Sequence, residues 1–82
     1  MRFLFLGQEP LERCDLLIVL ARLESDAMKG ALRAYLVNGI SKSNACEAFG
    51  VLAPNFTVAL SKLEKAAKIV ERIKEIDYLH LR

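Results

Sequence analysis

The sequence predicts an all-α fold, a small helical domain of four to five helices that contains a helix-turn-helix. Apolar residues recur at spacings of three and four along most of the chain, which is the period of an amphipathic helix. Capping and stopping residues divide this pattern into helix-length segments. The chain has 82 residues, a length that suits one domain, so we expect residues 1–82 to fold as a single unit.

The first helix is predicted from Pro10 to about Leu23. Proline suits the first turn of a helix because its missing N–H needs no partner there. Apolar residues cover almost every face of this helix, and a helix that is apolar all round has to be enclosed. A domain of this size can cover only one side, so we expect the helix to mediate self-association. The candidate interface residues are Leu16, Leu17, Val19 and Leu20.

The second helix is predicted over Asp26–Val37. Ser25 is a favourable N-cap, and Asp26 matches the positive end of the helix dipole. Asn38–Gly39 ends the helix, since both residues tolerate the left-handed conformation of a C-cap. The predicted buried stripe consists of Met28, Ala31, Leu32, Tyr35 and Leu36.

A helix-turn-helix is predicted in residues 41–63. Its first helix covers Lys42–Phe49 and has Ser41 as its N-cap. A tight turn follows at Gly50–Leu52, and the second helix begins at Pro54. A small helical domain with this element most often binds DNA.

The packing requirements of the motif are met by residues on both of its helices. Gly50 tolerates a positive φ in the turn, and small residues midway along the first helix let the second helix cross closely. We expect three residues of the first helix to face inward, namely Ala45, Cys46 and Phe49. The inward positions of the second helix then fall on Phe56, Ala59 and Leu60.

The last helix contains no helix-breaking residue before the C-terminus, so we expect a helical tail beyond the motif. Its inward stripe, at helical spacing, is formed by Phe56, Leu60, Leu63, Ala67 and Val70. A second apolar line continues toward the end of the chain with Ile69, Ile73 and Ile76.

The positive charge of the chain is concentrated around the predicted motif. The formal net charge is +2, and residues 41–68 alone carry four lysines and two glutamates. Residues 1–40 and residues 69–82 are each neutral. This distribution favours phosphate binding, but two charges create a weak field. Tight binding to double-stranded DNA therefore requires several subunits acting together.

The outward face of the second motif helix has few side chains that read bases. Asn55 can pair with adenine, and Thr57 or Val58 can contact a thymine methyl group. No Arg or Gln lies in the first two turns, so direct readout in the major groove should be poor. We therefore expect A·T-biased binding that depends on phosphate contacts and DNA shape. The candidate phosphate contacts are Lys42, Ser43, Ser61, Lys62 and Lys65.

The sequence shows no catalytic or metal-binding pattern. Cys14 and Cys46 match no metal spacing and occupy apolar helical positions, so we expect buried, reduced thiols. The single histidine, His80, accompanies neither a nucleophile set nor a Gly-rich phosphate loop. We therefore predict no enzyme activity, cofactor, metal or small-molecule substrate.

The chain is also predicted to be cytoplasmic and to have no membrane partner. The apolar run at the amino terminus is too short for a signal peptide. Asp15 and Arg22 bracket the apolar part of the first helix, which is therefore too short to span a bilayer.

Specific residues in and before the motif indicate a family. They are the AYLVNG sequence before the motif, Ser41, the Cys46–Glu47 pair, Phe49, Asn55–Thr57 and Leu60–Leu63. With these residues, the stretch 28–65 resembles the PapB-like regulators of fimbrial adhesin operons in enterobacteria. The resemblance implies a transcriptional regulator that binds A·T-rich DNA cooperatively as an oligomer, with contacts in the minor groove. It covers neither the N-terminal apolar helix nor the C-terminal tail.

An alternative hypothesis is a helical protein-interaction module, or an antitoxin-like adaptor, without direct DNA binding. The hydrophobic content of 54% and the apolar first helix favour it, because exposed apolar surface usually marks an interface. In that case Lys62, Lys65 and Lys68 form an ordinary solvated face. Salt-dependent DNA binding distinguishes the two hypotheses.

Overall fold

The computed structural model describes residues 3–81, and within that range the chain forms four helices and no strand. The helices are α1 (Leu11–Leu20), α2 (Asp26–Leu36), α3 (Lys42–Phe49) and α4 (Ala53–Leu81). The all-α prediction is thus confirmed. The sequence predicted four to five helices, and the described residues form four. Residues 1, 2 and 82 of the predicted domain lie outside the described residues.

Local capping signals set most of the helix boundaries, as the sequence predicted. Ser25 Oγ accepts a hydrogen bond from the Met28 amide at 3.2 Å, and Ser41 Oγ accepts one from the Asn44 amide at 3.3 Å. These bonds satisfy amides in the first turns of α2 and α3 that have no partner within the helix. Helix α3 has the predicted bounds, whereas α2 ends one residue earlier and α4 begins one residue earlier than predicted.

Helix α1 is shorter than predicted because the chain turns at Arg22. This residue has a φ of +58°, and its amide donates to the Val19 carbonyl at 3.0 Å. The next amide, that of Leu23, donates to the Ile18 carbonyl at 3.2 Å. This pair of hydrogen bonds is the Schellman motif, which usually has glycine at the left-handed position. An arginine there gives no stop signal in the sequence, so the prediction extended the helix to Leu23.

The core lies between α4 and the other three helices. The predicted inward residues Phe56, Leu63 and Ala67 are fully buried, whereas Leu60 and Val70 are half-buried. The Phe56 ring packs edge-on against Tyr35 of α2, with ring centroids 5.5 Å apart. The remaining buried residues from the helices are Cys14, Leu17, Ile18, Ala31, Leu32, Ala34, Leu36, Ala45, Cys46, Ala59 and Ala66.

The predicted interface on α1 needs one correction. Leu17 is only 2% exposed and belongs to the core of the chain, so its side chain is not available to a partner. The other three predicted interface residues are exposed: Leu16, Val19 and Leu20. The correction arises because a helix that is apolar all round does not reveal from its sequence which side faces the core.

The segment before α1 is attached to the rest of the fold by contacts that no local sequence pattern predicts. Leu4 is fully buried. The amides of Phe3 and Leu4 donate to the two carboxylate oxygens of Glu64 on α4, at 2.7 and 3.0 Å. The amides of Gly7 and Glu9 donate to carbonyls at the end of α2. These bonds hold the segment across the end of α2 and the middle of α4.

Candidate nucleic-acid interface

Helices α3 and α4 are joined by a tight turn that has the predicted geometry. Gly50 has a φ of +66°, and the amides of Gly50 and Val51 donate to the carbonyls of Glu47 and Cys46. This arrangement closes α3 and directs the chain into α4 within three residues. Glycine adopts this backbone conformation without strain. The local sequence therefore specifies both the end of α3 and the start of α4.

The packing of α3 against α2 fixes the motif on the body of the protein. Ala45 and Cys46 are buried, as predicted, but Phe49 is 41% exposed. The Phe49 ring lies directly over Gly30 of α2, where an added Cβ would come within 2.3 Å of the ring. The predicted inward position of Phe49 is therefore only partly correct, because its ring covers the surface of α2 rather than entering the core.

All eight predicted DNA-binding residues have exposed side chains: Lys42, Ser43, Asn55, Thr57, Val58, Ser61, Lys62 and Lys65. The structure brings some of them together. Lys42 Nζ donates to Thr57 Oγ1, which links the start of α3 to the first turns of α4. Asn55, Val58 and Lys62 line a common cleft on another side of α4.

This cleft has a volume of about 410 Å³ and lies between α4 and the connection from α1 to α2. Asn55, Val58 and Lys62 line it from α4, while Arg22 and Glu24 line it from the connection. Arg22 is not among the residues predicted to bind DNA. It lies in the neutral first half of the chain, and no short-range pattern in the sequence indicates that it lies beside α4.

The cations without an ion pair are concentrated around the motif. Within residues 3–81, five lysines and arginines lie outside every ion pair: Arg22, Lys42, Lys62, Lys65 and Lys68. The other lysines and arginines in this range have acidic partners. Arg13 pairs with Glu9 and Glu71, for example, and Arg33 pairs with Asp15 at 2.6 Å. The free positive charge of the described chain is therefore carried by the motif, its extension along α4 and one neighbouring arginine.

Both cysteines are buried and free. Burial raises the pKa of the Cys14 thiol to about 11, and the negative charge of Asp15 adds to this effect. A thiol with such a pKa is almost entirely protonated at neutral pH, and the protonated form is a poor nucleophile. Cys14 therefore acts as a small apolar core residue.

The sequence of this chain matches a known protein family over most of its length. The model of the PapB family, described as adhesin biosynthesis transcription regulatory proteins, matches residues 2–77. The chain belongs to the PapB family. The resemblance seen in residues 28–65 is thus confirmed, and the match extends over the N-terminal helix and into the C-terminal tail. The family consists of transcription regulators and is not a class of enzymes.

A solved structure supports the same assignment. The structure is similar to the crystal structure of E. coli FocB, with a TM-score of 0.83 and 29% sequence identity. The alignment covers 89% of this chain and 83% of the FocB chain. No curated protein matches the chain. In the described part of this PapB-family chain, no helix is both long and apolar enough to cross a membrane.

A second surface of this PapB-family chain is apolar and exposed. It consists of side chains from α1 and from the second apolar line of α4, which we call the α1–α4 apolar face: Leu16, Val19, Leu20, Ile69, Ile73 and Ile76. Leu20 lines two depressions, one shared with Leu16 and Val19 and the other with Ile69 and Ile73. Lys62 and Lys65 also line the second depression. The apolar face therefore adjoins the lysines of the candidate DNA-binding surface.

Proposed function

We propose that this PapB-family regulator acts by binding double-stranded DNA through α3 and α4. The observation that carries this proposal is the concentration of unpaired cations around these two helices. A cation that already has an acidic partner adds little to the field that attracts phosphate, whereas an unpaired cation releases counterions when it binds DNA. Residues 1–40 and 69–82 carry no net charge. DNA is therefore attracted mainly to the surface formed by α3 and α4.

We assign phosphate contacts to Lys42 and Ser43 at the start of α3 and to Ser61, Lys62 and Lys65 on α4. Asn55, Thr57 and Val58 lie on the first turns of α4, the part of a helix-turn-helix that normally meets base edges. These three side chains offer one amide, one hydroxyl and two sets of methyl groups, which suit A·T pairs better than G·C pairs. Sequence preference then depends largely on DNA shape, and A·T-rich sites are the proposed targets.

We further propose that the regulator binds such sites cooperatively as a homo-oligomer formed through the α1–α4 apolar face. An exposed surface with six large aliphatic side chains usually marks an interface. Packing against a second copy of the chain removes these side chains from water, which is favourable. The apolar face adjoins Lys62 and Lys65, so association places the DNA-binding surfaces of two copies near each other. A DNA-binding regulator of this kind acts in the cytoplasm.

The deciding experiment is a fluorescence-anisotropy titration of labelled A·T-rich and G·C-rich duplexes over a series of salt concentrations. We expect tighter binding to the A·T-rich duplex, a steep loss of affinity with salt and a sigmoidal isotherm. Strong preference for the G·C-rich duplex would contradict the proposed mode of readout. Absence of any salt-dependent binding would contradict DNA binding itself.

The α1–α4 apolar face also supports a second candidate function, a helical protein-interaction module without direct DNA binding. In that case the chain forms oligomers or binds a protein partner, and its free lysines form a solvated face. The titration separates the two functions, because a pure interaction module gives no salt-dependent change in anisotropy.

A further inference from the structure

The cleft between α4 and the α1–α2 connection has a basic side chain on each side. Lys62 lies on the α4 side and Arg22 on the connection. Neither side chain takes part in an ion pair within residues 3–81. Among the described residues that line the cleft, Glu24 is the only acidic one. Two free cations therefore share an open cleft with one carboxylate.

The position of the cleft relates it to the proposed DNA-binding surface. Asn55, Val58 and Lys62 follow one another at spacings of three and four, so they form one stripe along α4. Thr57 points instead toward Lys42 of α3. The first turns of α4 are thus bordered by Lys42 on one side and by the cleft with Arg22 on the other. A groove of duplex DNA is likewise bordered by a phosphate backbone on each side.

The backbone conformation at Arg22 favours residues other than arginine. Its φ of +58° is strained for a residue with a Cβ and is adopted most readily by glycine and asparagine. The two hydrogen bonds that close α1 here use backbone atoms only. Arg22 thus occupies a position where another residue would fit the backbone better. It is exposed, and within the described residues 3–81 it makes no ion pair.

We propose that Arg22 is a second phosphate-binding residue, which acts with Lys62 across the cleft to bind the DNA backbone on the side of α4 opposite Lys42. The planar guanidinium can bind a phosphodiester with two hydrogen bonds, and Lys62 adds a point charge to the same strand. Glu24 weakens this contact because its carboxylate repels phosphate. The proposal rests on the proposed DNA binding and extends it to a residue outside the helix-turn-helix.

The test compares Arg22→Asn, Arg22→Lys and Glu24→Gln with the wild-type chain in the salt-dependent anisotropy titration. Arg22→Asn removes the charge and suits the positive φ, so we expect an unchanged or higher melting temperature. We also expect it to weaken binding to all duplexes alike and to reduce the slope of log K against log salt concentration by about 1. Arg22→Lys should retain the slope, and Glu24→Gln should tighten binding.

The matched control is Arg72→Asn, which removes one positive charge from the tail of α4, far along the chain from the cleft. We expect this variant to retain the wild-type slope. Equal slopes for Arg22→Asn and Arg72→Asn would overturn the assignment of Arg22, even if the wild-type chain binds DNA with the proposed salt dependence. Absence of salt-dependent binding by the wild-type chain would overturn the proposed function and this inference together.

A competition titration distinguishes a phosphate of the DNA backbone from a free phosphate ion as the ligand of the cleft. Inorganic phosphate is added to the protein–duplex complex at constant ionic strength. We expect inorganic phosphate to compete no better than chloride with the duplex. Competition that is lost in Arg22→Asn would show that the cleft is a site for a free phosphate, and it would overturn the assignment to the DNA backbone.

Discussion

At the scale of single residues, contacts between distant parts of the chain give side chains roles that their local sequence does not reveal. Glu64 illustrates this, because it lies among lysines at helical spacing and yet binds the amides of Phe3 and Leu4, about 60 positions away. Arg22 is a second example, since its position beside α4 depends on the whole fold. By contrast, Ser25 and Ser41 act on amides three residues away, so their capping roles were predicted correctly.

Replacement of Glu64 tests how firmly the amino-terminal segment is held. Glu64→Ala leaves two backbone amides without their carboxylate and weakens the attachment of the buried Leu4. We expect a loss of about 1–3 kcal/mol in the free energy of unfolding, measured by urea denaturation. Glu64→Gln keeps one side-chain oxygen as an acceptor and should lose less. Wild-type stability of Glu64→Ala would show that these hydrogen bonds do not hold the segment in solution.

The two lysines in the middle of the candidate DNA surface allow a test of the phosphate contacts. The double variant Lys62→Ala with Lys65→Ala removes two unpaired cations and should weaken binding to every duplex alike. We expect the slope of log K against log salt concentration to fall by about 2. The matched control is Arg72→Ala with Lys74→Ala, because it removes the same charge from the tail. An unaltered slope in the first variant would exclude phosphate contacts at Lys62 and Lys65.

At the scale of elements, the sequence predicts a helix boundary correctly where the residues next to that boundary in the chain determine it. Gly50 specified the end of α3, and the stripe from Phe56 to Ala67 specified the inward face of α4. The end of α1 could not be predicted, since an arginine occupies the left-handed position that glycine usually marks. Burial of Leu17 could not be predicted either, because which side of an apolar helix faces the core is decided by its tertiary neighbours.

The register of α4 can be tested at Phe56. This side chain is fully buried and packs edge-on against Tyr35, so Phe56→Ala leaves a cavity between α2 and α4. We expect a loss of about 3–5 kcal/mol in the free energy of unfolding, measured by thermal and urea denaturation. Phe56→Leu should lose less, because it refills part of the space. Near-wild-type melting of Phe56→Ala would contradict the packing of α4 described above.

At the scale of the whole molecule, the ion pairs show where free positive charge lies, which the net charge does not. The formal net charge is +2, but ion pairs neutralise most basic residues away from the motif and leave the free cations around α3 and α4. The sequence located the charge excess in residues 41–68 but could not show which arginines of the other segments are paired. The structure shows that Arg22 lines a cleft with Lys62 of α4 and that the α1–α4 apolar face lies next to Lys62 and Lys65.

The oligomer predicted from the apolar face is tested best at Val19. This side chain is 73% exposed, so Val19→Glu introduces a charge at the face without disturbing the core of one chain. We expect the variant to sediment as a smaller species and to bind DNA with a less sigmoidal isotherm, because a buried unpaired carboxylate opposes association. A charge at Leu17 cannot serve this purpose, since it would unfold the chain whether or not an oligomer forms.

Leu52→Glu provides the control for Val19→Glu, because Leu52 is similarly exposed but lies in the turn of the motif, outside the α1–α4 apolar face. It should sediment like the wild-type chain. If Val19→Glu also sediments like the wild-type chain at every concentration, α1 is not part of the interface. That result would contradict the α1–α4 apolar face as the surface through which the copies associate.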